Sequence, residues 1–134
     1  MSTEREAPDD LDRDTTYRQL ARLAGVIYGV LLTVLLLVPE PTAILGLQQP
    51  PLTPGGRGVH FMLFLLLGLL ISAARWPIRR AALIAALVLY AWAIESLQAL
   101  IPLRTVELLD YVENLTGLAL GLTVYWLTVG WKPG

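Results

Sequence analysis

Seven polar residues of this apolar chain are of types that could bind a ligand or move a proton. Glu95 and Gln98 lie three residues apart, which puts both on one side of a helix. The other five are Arg57, His60, Arg104, Asp110 and Asn114. Guanidinium groups bind phosphate and carboxylate anions, amides hydrogen-bond sugars and peptides, and a histidine beside a carboxylate exchanges protons near neutral pH. All seven are therefore candidate ligand-binding residues, and His60, Glu95 and Asp110 are the candidates for catalysis.

The sequence contains no motif for several other kinds of chemistry. The chain has no cysteine, which excludes thiol catalysis and disulfides. The His-Glu-x-x-His zinc spacing, a G-x-S-x-G elbow around Ser96, phosphate loops and dinucleotide fingerprints are all absent. The net charge of −1 excludes a basic nucleic-acid surface. We therefore expect no metal, no cofactor and no nucleic-acid partner.

Four membrane-spanning helices are the elements predicted to position these residues. Of the 134 residues, 55% are hydrophobic and only 16% are charged, with a mean hydropathy of +0.60. Soluble domains carry roughly 25% charged residues. Runs without charge occupy residues 23–39, 58–74, 81–94 and 114–131. With modest extension each reaches the ~20 residues that cross a bilayer as a helix. The predicted spans are 20–38, 59–75, 79–100 and 109–130.

The ten Lys and Arg residues predict which way the spans run. Eight lie before or at the start of the first span, at the neighbouring ends of the second and third, or after the fourth, and only Arg57 and Arg104 lie elsewhere. The positive-inside rule then places both termini in the cytoplasm, with Trp76 and Trp131 at the inner interface. Residues 1–19 are predicted to be a mobile, acidic cytoplasmic tail ahead of a membrane domain at 20–134. A cleaved signal peptide is disfavoured because no A-x-A site follows the first span.

This topology brings the candidate residues to one level, at the outer ends of three spans. His60 begins the second span, Glu95 and Gln98 end the third, and Asp110 and Asn114 begin the fourth. An ionisable group within a span is costly and by default functional. The structural alternative for Glu95 is an ion pair with Arg57 or Arg104, or a protonated carboxyl bonded to Gln98.

Small residues at helical spacing are candidates for close helix packing. Gly117 and Gly121 continue the stripe that Asp110 and Asn114 begin, and Gly25 and Gly29 have the same small-xxx-small spacing. Such contacts can form within one chain or between copies, so the oligomeric state stays open.

The order and spacing of these residues resemble the VanZ-like family of bacterial membrane proteins. The matching segments are Arg57-x-x-His60-Phe61, Glu95-x-x-Gln98, Pro102-x-Arg104 and Asp110-x-x-x-Asn114-x-x-Gly117-x-x-x-Gly121. The chain departs at Gly56, where the family often has an acidic residue, at Arg57, often Lys there, and at Leu103, usually Gly. The resemblance implies a multi-pass protein of the bacterial cytoplasmic (inner) membrane with a role in the cell envelope. One family member is associated with resistance to glycopeptide antibiotics such as teicoplanin.

Three functions follow from the sequence and this resemblance. The first is an outward polar site, surrounded by membrane lipid, that binds a cell-wall precursor, another lipid-linked ligand or the glycopeptide itself. The second is a membrane-embedded acid–base enzyme, a hydrolase or transferase acting on an envelope lipid headgroup. A transporter or proton pathway is disfavoured because the cytoplasmic halves of the spans carry no matching charges.

Overall fold

Four helices make up the described part of the chain, in a computed structural model that covers residues 8–38, 58–101 and 108–130. We number them α1 (Pro8–Leu37), α2 (Val59–Ala73), α3 (Arg80–Gln98) and α4 (Leu108–Val129). Apart from the start of α1, their bounds agree with the predicted spans within a few residues. The prediction of an all-helical fold is therefore confirmed for the described residues.

The first helix reaches back into the segment predicted to be a tail. It begins at Pro8, well before the predicted start at residue 20. Proline suits the first turn of a helix, because that turn has no use for the missing N–H and the ring already holds a helical φ. Arg18 donates to the Asp14 carboxylate one turn earlier at 2.5 Å. This i, i+4 pair adds support to the polar part of α1.

The outer surface of the helices is strongly apolar. On α1 the exposed large side chains are Leu20, Leu23, Val26, Ile27, Val30, Leu31 and Val34. Soluble monomers rarely expose apolar patches larger than a few hundred Å². Two stretches, Arg13–Leu37 and Arg80–Gln98, are long and apolar enough to cross a membrane. With 15 residues α2 is shorter, and α4 carries three polar residues in its first two turns.

Contacts along the helices define an up-and-down arrangement. The Tyr28 hydroxyl donates to the Leu63 carbonyl at 2.9 Å, and Gly25 lies nearer the other end of α2, beside Ile71. These two contacts make α1 and α2 antiparallel. Likewise α3 begins beside the end of α4, where the Arg80 guanidinium lies 4.4 Å from the centre of the Trp126 ring. The helices therefore alternate in direction along the chain.

A glycine-lined contact joins α2 and α4, which run parallel. A Cβ added at Gly117 would collide with the Phe61 carbonyl oxygen, and one at Gly121 with the Leu65 carbonyl oxygen. From the other side, a Cβ at Gly68 would lie 2.8 Å from the Leu118 carbonyl oxygen. The backbones approach this closely only because the glycines have no side chain. The contact lies within one chain.

The two glycines of α1 differ from each other. A Cβ at Gly25 would lie 3.3 Å from the Ile71 Cδ1 atom, which is a tight contact. A Cβ at Gly29 would meet no described atom within 4 Å, which departs from the expectation of close packing there. The Gly29 carbonyl instead accepts hydrogen bonds from the Thr33 and Tyr90 hydroxyls, at 2.8 and 3.1 Å. Gly29 thus joins α1 to α3 through its backbone oxygen.

Arginines and tryptophans gather where α2 ends and α3 begins. Arg22 donates from Nε to the Ala74 carbonyl at 3.1 Å and from Nη2 to the Arg75 carbonyl at 2.8 Å. A cation suits the carbonyls at a helix C-terminus. Arg75, at a φ of +43°, lies 3.2 Å from the Asp14 carboxylate. The Arg22 guanidinium also lies 5.8 Å from the centre of the Trp76 ring. We call this region the basic end.

Away from the basic end the four helices enclose an apolar core. Its buried members are Leu32, Leu36, Phe64, Leu67, Leu83, Leu87, Ala91, Ile94, Leu118 and Leu122. All four helices contribute to it. The Phe64 and Tyr90 rings pack across it with centroids 6.0 Å apart.

We predict that Gly117→Ala destabilises the protein and Gly29→Ala does not. The methyl group at position 117 must push α2 away from α4, a steric conflict that costs about 1–3 kcal/mol. The methyl group at position 29 has open space and raises helix propensity. Unfolding midpoints in detergent test this, and equal midpoints for the two variants would contradict the observed contact.

Candidate functional site

Five of the seven polar residues predicted to lie at one level are described, and all five lie near one end of the bundle. Because α2 and α4 run parallel and α3 runs against them, the start of α2, the end of α3 and the start of α4 come together. This end is opposite the basic end. We call His60, Glu95 and Asn114, one residue from each helix, the polar cluster.

Asn114 is the centre of the polar cluster. Its side-chain amide donates from Nδ2 to Glu95 Oε1, and its Oδ1 lies 3.1 Å from His60 Nδ1. The same Nδ1 atom lies 3.5 Å from Glu95 Oε1. Asn114 is fully buried, and Glu95 is 5% exposed. One amide thus connects an imidazole on α2 with a carboxylate on α3.

Burial makes the hydrogen bonds of Glu95 important. A carboxylate withdrawn from water is destabilised by several kcal/mol unless charge or hydrogen bonds compensate. Asn114 and His60 both act on Oε1, whereas Oε2 is buried with no hydrogen-bond partner among the described residues. The carboxylate is therefore satisfied on one oxygen by the polar cluster.

Gln98 lies at the same end but turns to α1. Its Nε2 donates to the Leu36 carbonyl at 2.9 Å, and its side chain is 2% exposed. The sequence had put it on the side of α3 that carries Glu95, as a candidate ligand-binding residue and, in the structural alternative, as the partner of a protonated Glu95 carboxyl. The last turn of α1 has carbonyls without helical partners, and a buried amide satisfies one of them. Gln98 therefore links α3 to α1.

The two acidic residues at the start of α4 occupy different positions. Asp110 is half-buried one turn before Asn114, at the same end of the bundle as His60. Glu113 accepts a hydrogen bond from the Gly58 backbone N–H at 3.0 Å. It thereby holds the start of α2, which has no side-chain cap of its own. Glu113 was not among the predicted site residues. The available signal was an acidic side chain next to Asn114 on α4. Such a side chain is favoured beside the uncapped N-terminus of a neighbouring helix.

Two of the predicted site residues, Arg57 and Arg104, lie outside the described residues, as does Trp131. Within the described ranges, no group of three or more His, Asp or Glu side chains could hold a metal ion. The arrangement that the structure does describe is an imidazole, an amide and a carboxylate in contact, bordered by Asp110.

Fold and site together define a class of protein. Its described part is an all-helical bundle with two helices able to cross a membrane, an apolar outer surface and a buried polar cluster at one end. The sequence model of the VanZ/LLP1 family matches residues 21–129. The chain therefore belongs to the VanZ/LLP1 family. No curated protein and no solved structure matches it.

The polar cluster leads to a stability prediction. Asn114→Leu removes the donor to Glu95 and leaves a buried carboxylate short of hydrogen bonds, which we expect to cost about 3 kcal/mol or more. Adding Glu95→Leu should recover part of this loss, since no buried charge is then left unpaired. Denaturation in mixed micelles measures both.

Ser96→Ala is the matched control for these variants. Ser96 is the next residue of α3, and its hydroxyl donates to the Trp92 carbonyl of the same helix at 2.9 Å. Its loss should change stability little. If Asn114→Leu were as stable as Ser96→Ala, the amide would not support Glu95.

Proposed function

We propose that this protein is a four-span protein of the bacterial cytoplasmic membrane whose polar end faces outward and binds a polar headgroup. Both termini lie in the cytoplasm in this proposal. The ligand is a cell-wall precursor, another lipid-linked molecule or a glycopeptide. The observation that carries the proposal is the convergence of His60, Glu95 and Asn114 from three helices at the end opposite the basic end.

The separation of charge between the two ends supports the orientation. Arg18, Arg22, Arg75, Arg79 and Arg80 all belong to the basic end or to the helix ends beside it. Cationic side chains near the ends of spans favour the cytoplasmic side, and tryptophans favour the interface. Trp76 and Trp126 both lie under arginines of this end. An inward basic end makes the polar cluster outward.

The length of α2 supports a lipid-linked ligand. Its 15 residues rise about 22 Å, less than the ~30 Å of a typical hydrocarbon core. With the Arg75 end at the inner interface, the His60 end lies below the outer surface unless the bilayer thins there. A ligand anchored in the membrane presents its headgroup at this depth.

The residues around the polar cluster suit an anionic, hydroxyl-rich headgroup. In the proposal His60, at the edge of the cluster with 12% of its side chain exposed, contacts the ligand directly. Arg57 and Arg104 contact phosphate or carboxylate groups, for which guanidinium is well suited. Glu95, Gln98 and Asn114 fix the relative positions of the helices around the ligand, and Asp110 lies one turn before Asn114 on α4. The family resemblance to a protein associated with teicoplanin resistance supports the glycopeptide or its wall target as ligand.

The orientation can be tested by labelling introduced cysteines, since the chain has none of its own. A membrane-impermeant maleimide should label Leu108→Cys, at the start of α4, in intact cells. It should label Ile78→Cys, between α2 and α3, only after the membrane is permeabilised. Both positions are exposed. The reverse pattern would overturn the proposed orientation.

The ligand class can be tested by teicoplanin and vancomycin susceptibility in a sensitive host. We expect the wild type and Ser96→Ala to raise tolerance, and Glu95→Ala and Arg104→Ala to match the empty vector. Removing Glu95 takes away the charge that Asn114 and His60 contact, and removing Arg104 takes away an anion-binding group. Immunoblots must show equal membrane levels. If all strains respond alike, the glycopeptide link fails for this protein.

A further inference from the structure

We infer that Asn114 and Glu95 keep a proton on His60 Nδ1, so that His60 meets its ligand through Nε2 alone. This makes Asn114 a positioning residue. The inference deepens the proposed function, because it specifies which atom of the site faces the ligand. It depends on the contacts around one imidazole ring.

Both described neighbours of Nδ1 are oxygen atoms that accept hydrogen bonds. Asn114 Oδ1 lies 3.1 Å from Nδ1, and Glu95 Oε1 lies 3.5 Å from it. A ring nitrogen without a proton would face two electron-rich oxygens and repel them. A protonated Nδ1 attracts both, and the hydrogen bond at one ring nitrogen sets the state of the other.

The carboxylate also determines which way the Asn114 amide points. Its Nδ2 donates to Glu95 Oε1. Turning the amide round would place its oxygen against the Glu95 oxygen and its NH₂ against His60. With Nδ2 on the Glu95 oxygen, the Oδ1 atom faces the ring.

Rigidity makes this arrangement effective. Asn114 is fully buried and is one turn from Gly117, where the α4 backbone lies against the Phe61 carbonyl. His60 precedes Phe61 on α2, so the same close contact holds both residues in register. The imidazole cannot rotate away without breaking the contact to Asn114. When the ring is neutral, Nε2 carries the lone pair and accepts a proton or a hydrogen bond from the ligand.

Charges face the imidazole from two helices. Glu95 comes from α3 and Asp110 from α4. Glu113, also on α4, accepts from the Gly58 N–H. Asp110 lies one turn before Asn114. The two groups in contact with Nδ1, Asn114 and Glu95, determine which nitrogen of the neutral ring keeps its proton.

The test is ¹⁵N NMR of the imidazole, because His60 is the only histidine in the chain. The full-length protein is labelled at the histidine side chain, purified through a histidine-free affinity tag and measured in micelles over a pH series. Protonated and unprotonated ring nitrogens resonate in well-separated ranges. On the alkaline side of the titration, we expect Nδ1 to stay protonated and Nε2 to be unprotonated.

Three variants separate positioning from general stability. Asn114→Leu should shift the neutral ring toward the Nε2–H form or a mixture. Asn114→Asp retains an oxygen opposite Nδ1, and with one proton shared between its other oxygen and Glu95 it should keep the wild-type pattern. Gln98→Leu removes a buried amide at the same end that contacts Leu36 instead, and should leave the ring nitrogens unchanged. The wild-type spectrum alone decides the tautomer if a variant does not fold.

The inference is wrong if the neutral wild-type ring is mainly Nε2–H, or if Asn114→Leu leaves the ring nitrogens unchanged. No ligand takes part in this measurement. Failure of the susceptibility test would therefore remove the proposed ligand and leave the assignment of Nδ1 standing. A wild-type Nε2–H ring would remove the assignment and leave the proposed ligand untouched.

Discussion

The close approach of α2 and α4 is the constraint on which the rest of the structure depends. Two helix backbones touch where Gly117 and Gly121 meet the carbonyls of Phe61 and Leu65. Helices that both face lipid gain little from apolar burial against each other, so close backbone packing is a main source of their association. Once this register is set, the residues one turn earlier on α4 face the start of α2. His60 and Asn114 meet for this reason.

The polar cluster can be buried only because that register gives its polar groups hydrogen-bond partners. A buried carboxylate such as Glu95 is a liability in any apolar bundle, and a nearby donor in fixed geometry reduces the penalty. Asn114 provides the donor from α4, which the close contact with α2 holds in register. His60 adds a second partner, whose ring can be neutral or charged. Gln98 and Glu113 tie α1 and α2 to the same end by satisfying a carbonyl and an N–H at helix termini. Packing and hydrogen bonding thus support the same geometry.

The two ends of the bundle have opposite chemical character. At the basic end, arginines bind helix-terminal carbonyls, Asp14 and tryptophan rings. At the other end, the Asn114 amide of α4 and the Glu95 carboxylate of α3 meet the imidazole of α2. A bilayer distinguishes such ends, because cations are retained on the cytoplasmic side. The proposed orientation and the proposed outward site are therefore two consequences of one distribution of charge.

The sequence by itself determined where the four described helices lie, apart from the start of α1, because uncharged runs near 20 residues and flanking charges are local properties of the chain. It also predicted that His60, Glu95 and Asn114 share a level, since alternating direction and residue spacing are enough for that. Only the tertiary structure decided the partners. Rotation of each helix about its axis is what sends Gln98 to Leu36, Glu113 to Gly58 and Asn114 between His60 and Glu95. That rotation depends on which faces pack, and packing involves residues far apart in the chain.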